Sequence, residues 1–267
     1  ASLELFDRGR KVANLLRRYL PQDVPRALDI LERSLGPVSS QLLGAGMEPF
    51  LYLPHVLFVA QYGLDYFEES MRFQHALTQR LSAEWSIRPF LERYPQQTLA
   101  RLRTFAEDPS PHVRRLVSEG TRPRLPWAAR LRVFERDPAP VLELLELLRD
   151  DPSEDVRRSV ANHLNDLTKD KPALVLEIAG RWLDPRANPP PTRRSLITHA
   201  LRTLTRHGDR DALTVMGFTG GEAVEVKGYV NPLRVHIGQS VEIVIEVKNP
   251  TKAVQRAVVD FVVSFVR

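Results

Sequence analysis

The stretch His112–Trp127, HVRRLVSEGTRPRLPW, sets a single carboxylate, Glu119, among Arg114, Arg115, Arg122 and Arg124 and closes on an indole, Trp127. Two explanations compete for such an acid. It balances charge on a solvated helix face, or it is kept for its chemistry beside a partner that the arginines hold. The guanidinium group pairs bidentately with phosphate, and from His112 to Arg132 six arginines face this one acid. An excess of that kind repels itself unless a polyanion or buried partners compensate it.

The bulk properties narrow the setting. The chain has 267 residues, a net charge of +5 and no cysteine. Disulfides, thiolate zinc sites and a Cys nucleophile are therefore excluded. The basic excess lies in the middle, where residues 86–217 carry a surplus of five, against −1 for residues 1–85 and +1 for residues 218–267. Only six of the 38 basic residues are lysine, a preference that fits a phosphate-bearing partner but that a GC-rich genome also produces. No apolar run reaches the roughly 18 residues of a membrane span, and the N-terminus lacks a secretory pattern. The expected setting is cytoplasmic, with no membrane partner.

The elements that must position the acid come from a repeat. EDPSPHVRRLVSEG (107–120) and DDPSEDVRRSVANH (150–163) share Asp-Pro-Ser and Val-Arg-Arg at an offset of 43 residues, and TRRSLITHALRTL (192–204) follows at an offset of 36. Periods near 40 with two helices per unit read as HEAT-type solenoid repeats. Asp108 and Asp151 are expected as N-caps, with the following prolines at the first helical position. Val156, Val160, Leu164 and Leu167 then form the apolar stripe of a helix. WAARLRVFERD (127–137) and VLELLELLRD (141–150) supply the partner helices. Residues 10–35 and 55–105 have further helical patterns, so residues 1–217 are expected to form one mainly α, HEAT-like array.

From residue 218 the pattern changes to period-two alternation rich in Val and Ile, in VEVKGYVNPLRVHIGQSVEIVIEVKNP and AVVDFVVSFVR. These are strand signals. Residues 218–267 are expected to open an immunoglobulin-like β domain that is incomplete as it stands, since such a sandwich needs about seven strands. The Gly220–Gly221 pair has no phosphate-loop pattern, and Pro189–Pro191 reads as a stiff loop before the third copy.

Repeat alignment predicts a polar wall. Residues four apart share a helix face, which groups Arg115 with Glu119, Arg158 with Asn162 and Asp166, and Arg194 with Thr198, Arg202 and Arg206. Glu119, Asn162 and Thr198 are then equivalent positions. Arginines repeated along such a wall suit a nucleic-acid backbone. They equally suit carbonyls and acids of the adjacent repeat.

These residues resemble the DNA alkylation repair enzymes with HEAT-like repeats, specifically the AlkC-type alkylpurine DNA glycosylases. SEGTRPRLPW (118–127), DDPSEDVRRSVANHLNDLTKDKP (150–172) and THALRTLTRHGDRDALTVMGF (198–218) carry the resemblance, which covers most of residues 85–218. Some members append an immunoglobulin-like domain, in keeping with the strand-rich tail. The resemblance implies hydrolysis of the N-glycosidic bond of cationic N-alkylated purines such as 3-methyladenine in duplex DNA, without base flipping. A charged purine is already a good leaving group, so a carboxylate need only stabilise an oxocarbenium-like sugar and position water. An indole adds cation–π attraction.

On that basis Glu119 is the first catalytic candidate and Trp127 the aromatic one, with a core anchor as its alternative. Glu154 is the second acid, its alternative being the N3 place of a capping box after Asp151. Asp166 is the third. DNA contacts are expected from Arg114, Arg115, Arg122, Arg124, Arg157, Arg158, Asn162, Arg194, His199, Arg202 and Arg206. His163, His199 and His207 lack the accompanying ligands of a metal site, so no metal or cofactor is expected. The enzyme would act as a monomer. A non-catalytic HEAT adaptor for nucleic acid or protein is the competing reading.

Overall fold

A computed structural model describes residues 3–39, 46–218, 224–251 and 254. The expected strand AVVDFVVSFVR and the Gly220–Gly221 pair lie outside the described residues. The chain divides into two compact units, residues 1–202 and 203–267.

The described residues are mainly helical. In chain order the helices are α1 (Leu5–Tyr19), α2 (Val24–Arg33), α3 (Leu53–Tyr62), α4 (Phe67–Leu77), α5 (Ile87–Arg93), α6 (Pro95–Phe105) and α7 (Pro111–Gly120). They continue as α8 (Arg132–Arg136), α9 (Ala139–Leu148), α10 (Glu154–Leu167), α11 (Pro172–Trp182), α12 (Pro191–Ala200), α13 (Arg202–Arg206) and α14 (Arg210–Val215). None of the described helices is long and apolar enough to cross a membrane. Prolines open α6, α7, α9, α11 and α12, where a missing N–H is harmless and a fixed φ is already helical.

In the first unit the repeat-related helices pack in succession, α7 on α10 and α10 on α12, while α6 and α9 pack against each other and against α7. The expected stripe is the seam of this stack. Val156, Val160, Leu164 and Leu167 are fully buried, as are Val113, Leu116 and Val117 of α7 and Ile197 of α12. At roughly 1.5–3 kcal/mol per buried aliphatic side chain, this stripe is the main force that stacks the three helices.

The helix starts differ from the sequence expectation, and the difference changes what the repeated motif does. Helix α7 begins at Pro111 after Ser110 and α10 at Glu154 after Ser153, three residues beyond the expected caps in each case. Asp108 Oδ1 instead accepts from Ser110 N, and Asp151 Oδ1 from Ser153 N, both at 2.8 Å, the short-range turn that an Asp side chain makes with the backbone two residues on. The following arginine closes the turn. Arg114 Nη1 donates to the carbonyls of Asp108 and Pro109 at 2.8 and 3.0 Å, and Arg157 Nη1 donates to those of Asp151 and Pro152. Asp-Pro-Ser and the first arginine of Val-Arg-Arg are thus one structural device, used twice.

In the second unit, β1 (Glu225–Asn231) and β2 (Glu242–Lys248) pair antiparallel with Gly228 opposite Ile245 and Tyr229 opposite Val244. The period-two alternation read from the sequence accounts for these strands.

Candidate functional site

Two sets of chemistry-bearing side chains gather along the α7–α10–α12 stack, one buried and one open. The buried set is built around Glu119, near the end of α7 and only 5% exposed. Arg122 Nη1 donates to Glu119 Oε1 at 2.6 Å, Ser159 Oγ on α10 donates to Glu119 Oε2 at 2.6 Å, and Arg115 Nη2 stands 3.7 Å from Oε1. Arg122 turns its Nε to Asp166 Oδ2 at 2.9 Å, so one guanidinium bridges two acids. Arg115 also reaches Glu84 Oε2 at 3.4 Å, and Ser82 Oγ donates to the same oxygen at 2.7 Å.

Burial and charge act in opposite directions on these acids. For Glu119, burial works to raise the pKa, but Arg115, Arg122 and the Ser159 hydroxyl together outweigh it, and the carboxyl sits below its usual range. For Glu84 and Asp166 burial prevails over the same arginines, and both are raised. Glu119 is therefore the member of the cluster held most firmly in its charged form.

Two neighbours complete this buried region. Arg88, on α5, donates through Nη1 to Gly120 O at 3.2 Å and Arg122 O at 2.8 Å, and through Nη2 to Ala129 O. Burial lowers its pKa to about 10. His163 on α10 meets Ser118 O through Nδ1 at 3.1 Å, while its Nε2 and the Ser118 hydroxyl are buried with no hydrogen-bond partner among the described residues. Burial pushes the His163 imidazole down to about 3, so it is neutral at pH 7.

The open set lines a cleft of about 420 Å³ between α10 and α12, walled by Glu154, Arg157, Arg158, Thr192, Ser195 and His199 among others. Glu154 is the first residue of α10, not the N3 member of a capping box as the alternative reading had it, because the helix begins two residues later than expected. Its side chain is 74% exposed and accepts from Arg158 Nη2 at 2.7 Å, one turn on. Asn162 Oδ1 meets His199 Nε2 at 3.0 Å and accepts from Arg202 Nη2 at 3.1 Å, which brings three of the sequence-derived residues together. Arg194 is exposed on α12, and Arg206 is exposed in the second unit.

The remaining candidates are placed differently. Arg114 is largely buried and bidentate on Asp151, with Nε at 2.6 Å and Nη2 at 3.0 Å. Arg124 is bidentate on Asp170, with Nη2 at 2.8 Å from Oδ1 and Nε at 3.1 Å from Oδ2. The self-repelling surplus noted in the sequence is thus met by acids distant in the chain. Trp127 is 72% exposed, which removes the core-anchor alternative, and it has a φ of +60°.

Sequence reasoning missed Arg88, Glu84, Ser159 and Arg193. Ser159 and Arg193 had a signal. Ser159 lies in the Arg-Ser pair that recurs at 158–159 and 194–195. Arg193 is the repeat partner of Arg157 and pairs with Asp150 through Nε at 2.8 Å. Arg88 and Glu84 lie outside the repeat and carry no such mark.

Two known proteins are similar to this chain along nearly its whole length, although no protein-family model matches it. The uncharacterized protein YhaZ of Bacillus subtilis (strain 168) is 35% identical over 266 residues, which span 99% of this chain and 70% of that protein. The solved structure of Pseudomonas fluorescens alkylpurine DNA glycosylase AlkC, bound to DNA containing an abasic site analog, superposes with a TM-score of 0.71 at 31% identity. The match covers 94% of this chain and 76% of that one. Shared helical architecture together with this identity across most of both chains means that the chain belongs to the AlkC-like family.

Proposed function

We propose that this protein is a DNA glycosylase that hydrolyses the N-glycosidic bond of cationic N-alkylated purines of the 3-methyladenine type in duplex DNA, leaving an abasic site. The observation that carries the reading is the likeness to an alkylpurine DNA glycosylase along nearly the whole chain. The α10–α12 cleft supplies it with residues. Glu154 offers an exposed carboxylate in an arginine-lined recess, where an acid can face a developing oxocarbenium ion and orient water. Glu119, charged but nearly closed off, is the second acid of the mechanism, and Asp166 acts by orienting Arg122. The alkylated purine carries its own positive charge, so departure needs little acid assistance. Removal of the base in place, without the flipping that most base-processing enzymes use, is the mode the resemblance implies. Arg158, Arg194, His199, Arg202 and Arg206 are the proposed phosphate contacts.

The test is release of free 3-methyladenine from methylated duplex DNA by the wild type, Glu154→Gln and Glu119→Gln. The expected result is release by the wild type and a loss of at least 100-fold in Glu154→Gln, the scale of removing one transition-state charge contact (about 10²–10³). Undiminished release by Glu154→Gln, with loss in Glu119→Gln, would move the reacting role to Glu119. No release by the wild type would leave the second reading, a non-catalytic adaptor. That reading draws on Arg114, Arg122 and Arg124, all engaged within the chain and so less able to hold phosphate.

A further inference from the structure

Ser159 stands where packing alone would place an apolar side chain. Its equivalent in α7, 43 residues earlier, is the fully buried Leu116, and Ser159 itself is only 1% exposed. A hydroxyl at such a position costs stability unless it is spent on an acceptor. Inside a helix the nearest acceptor for a serine is the carbonyl one turn back. The Ser159 hydroxyl instead donates across the seam between α10 and α7, to Glu119 Oε2 at 2.6 Å.

Among the described residues three side chains hold the Glu119 carboxylate, and their attachments differ. Arg122 divides its guanidinium between Glu119 and Asp166, and Arg115 divides its own between Glu119 and Glu84. Ser159 has a single proton, and Glu119 receives it. Arg115 lies on the same helix as Glu119 and Arg122 lies three residues beyond the acid, whereas Ser159 reaches it from the next repeat. The grip of the arginines therefore varies with the charge on Glu84 and Asp166, both of which burial raises in pKa, while that of the hydroxyl does not. The other ionisable groups of this region are Arg88 on α5, spent on backbone carbonyls, and His163 on α10, neutral at pH 7.

We propose that Ser159 is a positioning residue for base release, whose hydroxyl fixes the rotation of the Glu119 carboxylate and ties it to α10, the helix that carries Glu154 into the cleft. The inference rests on the glycosylase reading, in which Glu119 is the second acid. Ser159 is buried and acts through Glu119, so it touches neither DNA nor the reacting atoms. Without the hydroxyl, Glu119 Oε2 is left with no hydrogen-bond donor among the described residues, while the apolar seam keeps its packing. A donor to a carboxylate favours the charged form, so its loss moves protonation of Glu119 to higher pH. Activity that needs the charged, oriented acid is then lost first at the acidic end.

The test compares wild type, Ser159→Ala and Ser159→Thr in two measurements. One is 3-methyladenine release from methylated duplex between about pH 5 and pH 8, read as kcat and KM. The other is a carbon-13 NMR titration of glutamate side-chain carboxyls, with the Glu119 signal assigned by its loss in Glu119→Gln. A hydrogen bond to a charged group corresponds to about one to two pH units. Ser159→Ala should move the Glu119 titration up on that scale and lower kcat several-fold more at the acidic end than at the basic end, with KM unchanged. Ser159→Thr keeps the hydroxyl and should follow wild type in both; if it does not fold, Ser159→Ala decides alone. A Glu119 signal that titrates alike in wild type and Ser159→Ala overturns the positioning role and leaves the glycosylase reading standing. A loss of kcat that is equal at every pH also overturns it and assigns Ser159 to packing. A wild type that releases no methyladenine overturns the glycosylase reading and the positioning role with it.

Discussion

Arg114 and Asp151 form a bidentate, largely buried ion pair that runs from α7 to the turn preceding α10. From the other side Arg193 of α12 pairs with Asp150, the residue before Asp151, so two arginines converge on adjacent acids of that one turn. Each arginine thus closes on an acid of the neighbouring repeat. Removing one partner leaves the other charge buried and alone, at about 3–5 kcal/mol. Arg114→Met is expected to lose stability on that scale in urea denaturation. Its DNA binding, measured well below the midpoint, should keep the wild-type dependence on salt.

Arg194 is the contrasting case, an exposed guanidinium on the proposed DNA face. Each phosphate contact releases counterions, so Arg194→Ala should weaken binding evenly across sequences and reduce the slope of log K against log salt by about one unit. Its unfolding free energy should stay within about 0.5 kcal/mol of wild type, as for a surface change away from special features. Titrations at several salt concentrations separate it from Arg114→Met.

The buried His163 makes stability pH-dependent. Its folded pKa, about 3, lies below the ordinary value of 6.5, so between those limits the unfolded chain binds the proton and the folded chain does not. Stability therefore falls as pH drops below 6.5, by at most about 1.4 kcal/mol per pH unit from this group. His163→Gln removes the titration. Urea unfolding at pH 7, 6 and 5 should show a steeper decline for wild type than for the variant, and parallel declines would refute the assignment.

The left-handed backbone at Trp127 separates the indole from its Cβ. Trp127→Gly and Trp127→Ala both delete the ring, but only glycine takes a φ of +60° without strain. The Gly variant should exceed the Ala variant by about 1 kcal/mol in unfolding free energy, the lower end of the left-handed penalty. Both lack the ring that the resemblance sets among the site residues, so both should be equally impaired in release of 3-methyladenine.

What the sequence made legible was what recurs or alternates. The 43-residue offset located α7 and α10, and the Val156–Leu167 stripe located their seam, because burial imposes a helical period that survives without coordinates. The two described strands were legible for the same reason. The caps were misread because Asp-Pro serves a helix N-terminus and an Asx turn equally well, and only the position of Ser110 or Ser153 decides between them. The partners of the arginines were not legible at all. Glu84, Asp166 and Asp170 lie 31–46 residues from Arg115, Arg122 and Arg124, and ion pairs carry no periodicity. The uniform arginine wall drawn from helical spacing therefore gave no sign of which cations were already neutralised inside the chain.

Gly120 follows Glu119 because a Cβ there would stand 2.6 Å from Ile87 Cγ2, which fixes how closely α7 ends against α5. With that contact, the requirements along SEGTRPRLPW can be assigned almost letter by letter. Glycine is set by clearance, Thr121 by its hydroxyl on Val117 O, Arg122 by two acids, Arg124 by a third and Leu125 by the core. Each of these positions is answerable to the fold, and a substitution there would be removed by instability before any activity was tried. Trp127 answers to nothing inside its own unit that the structure describes, so drift at that position would be free unless something outside the chain holds it. A tolerance scan across these ten residues, scored once for folding and once for DNA, would divide at that tryptophan.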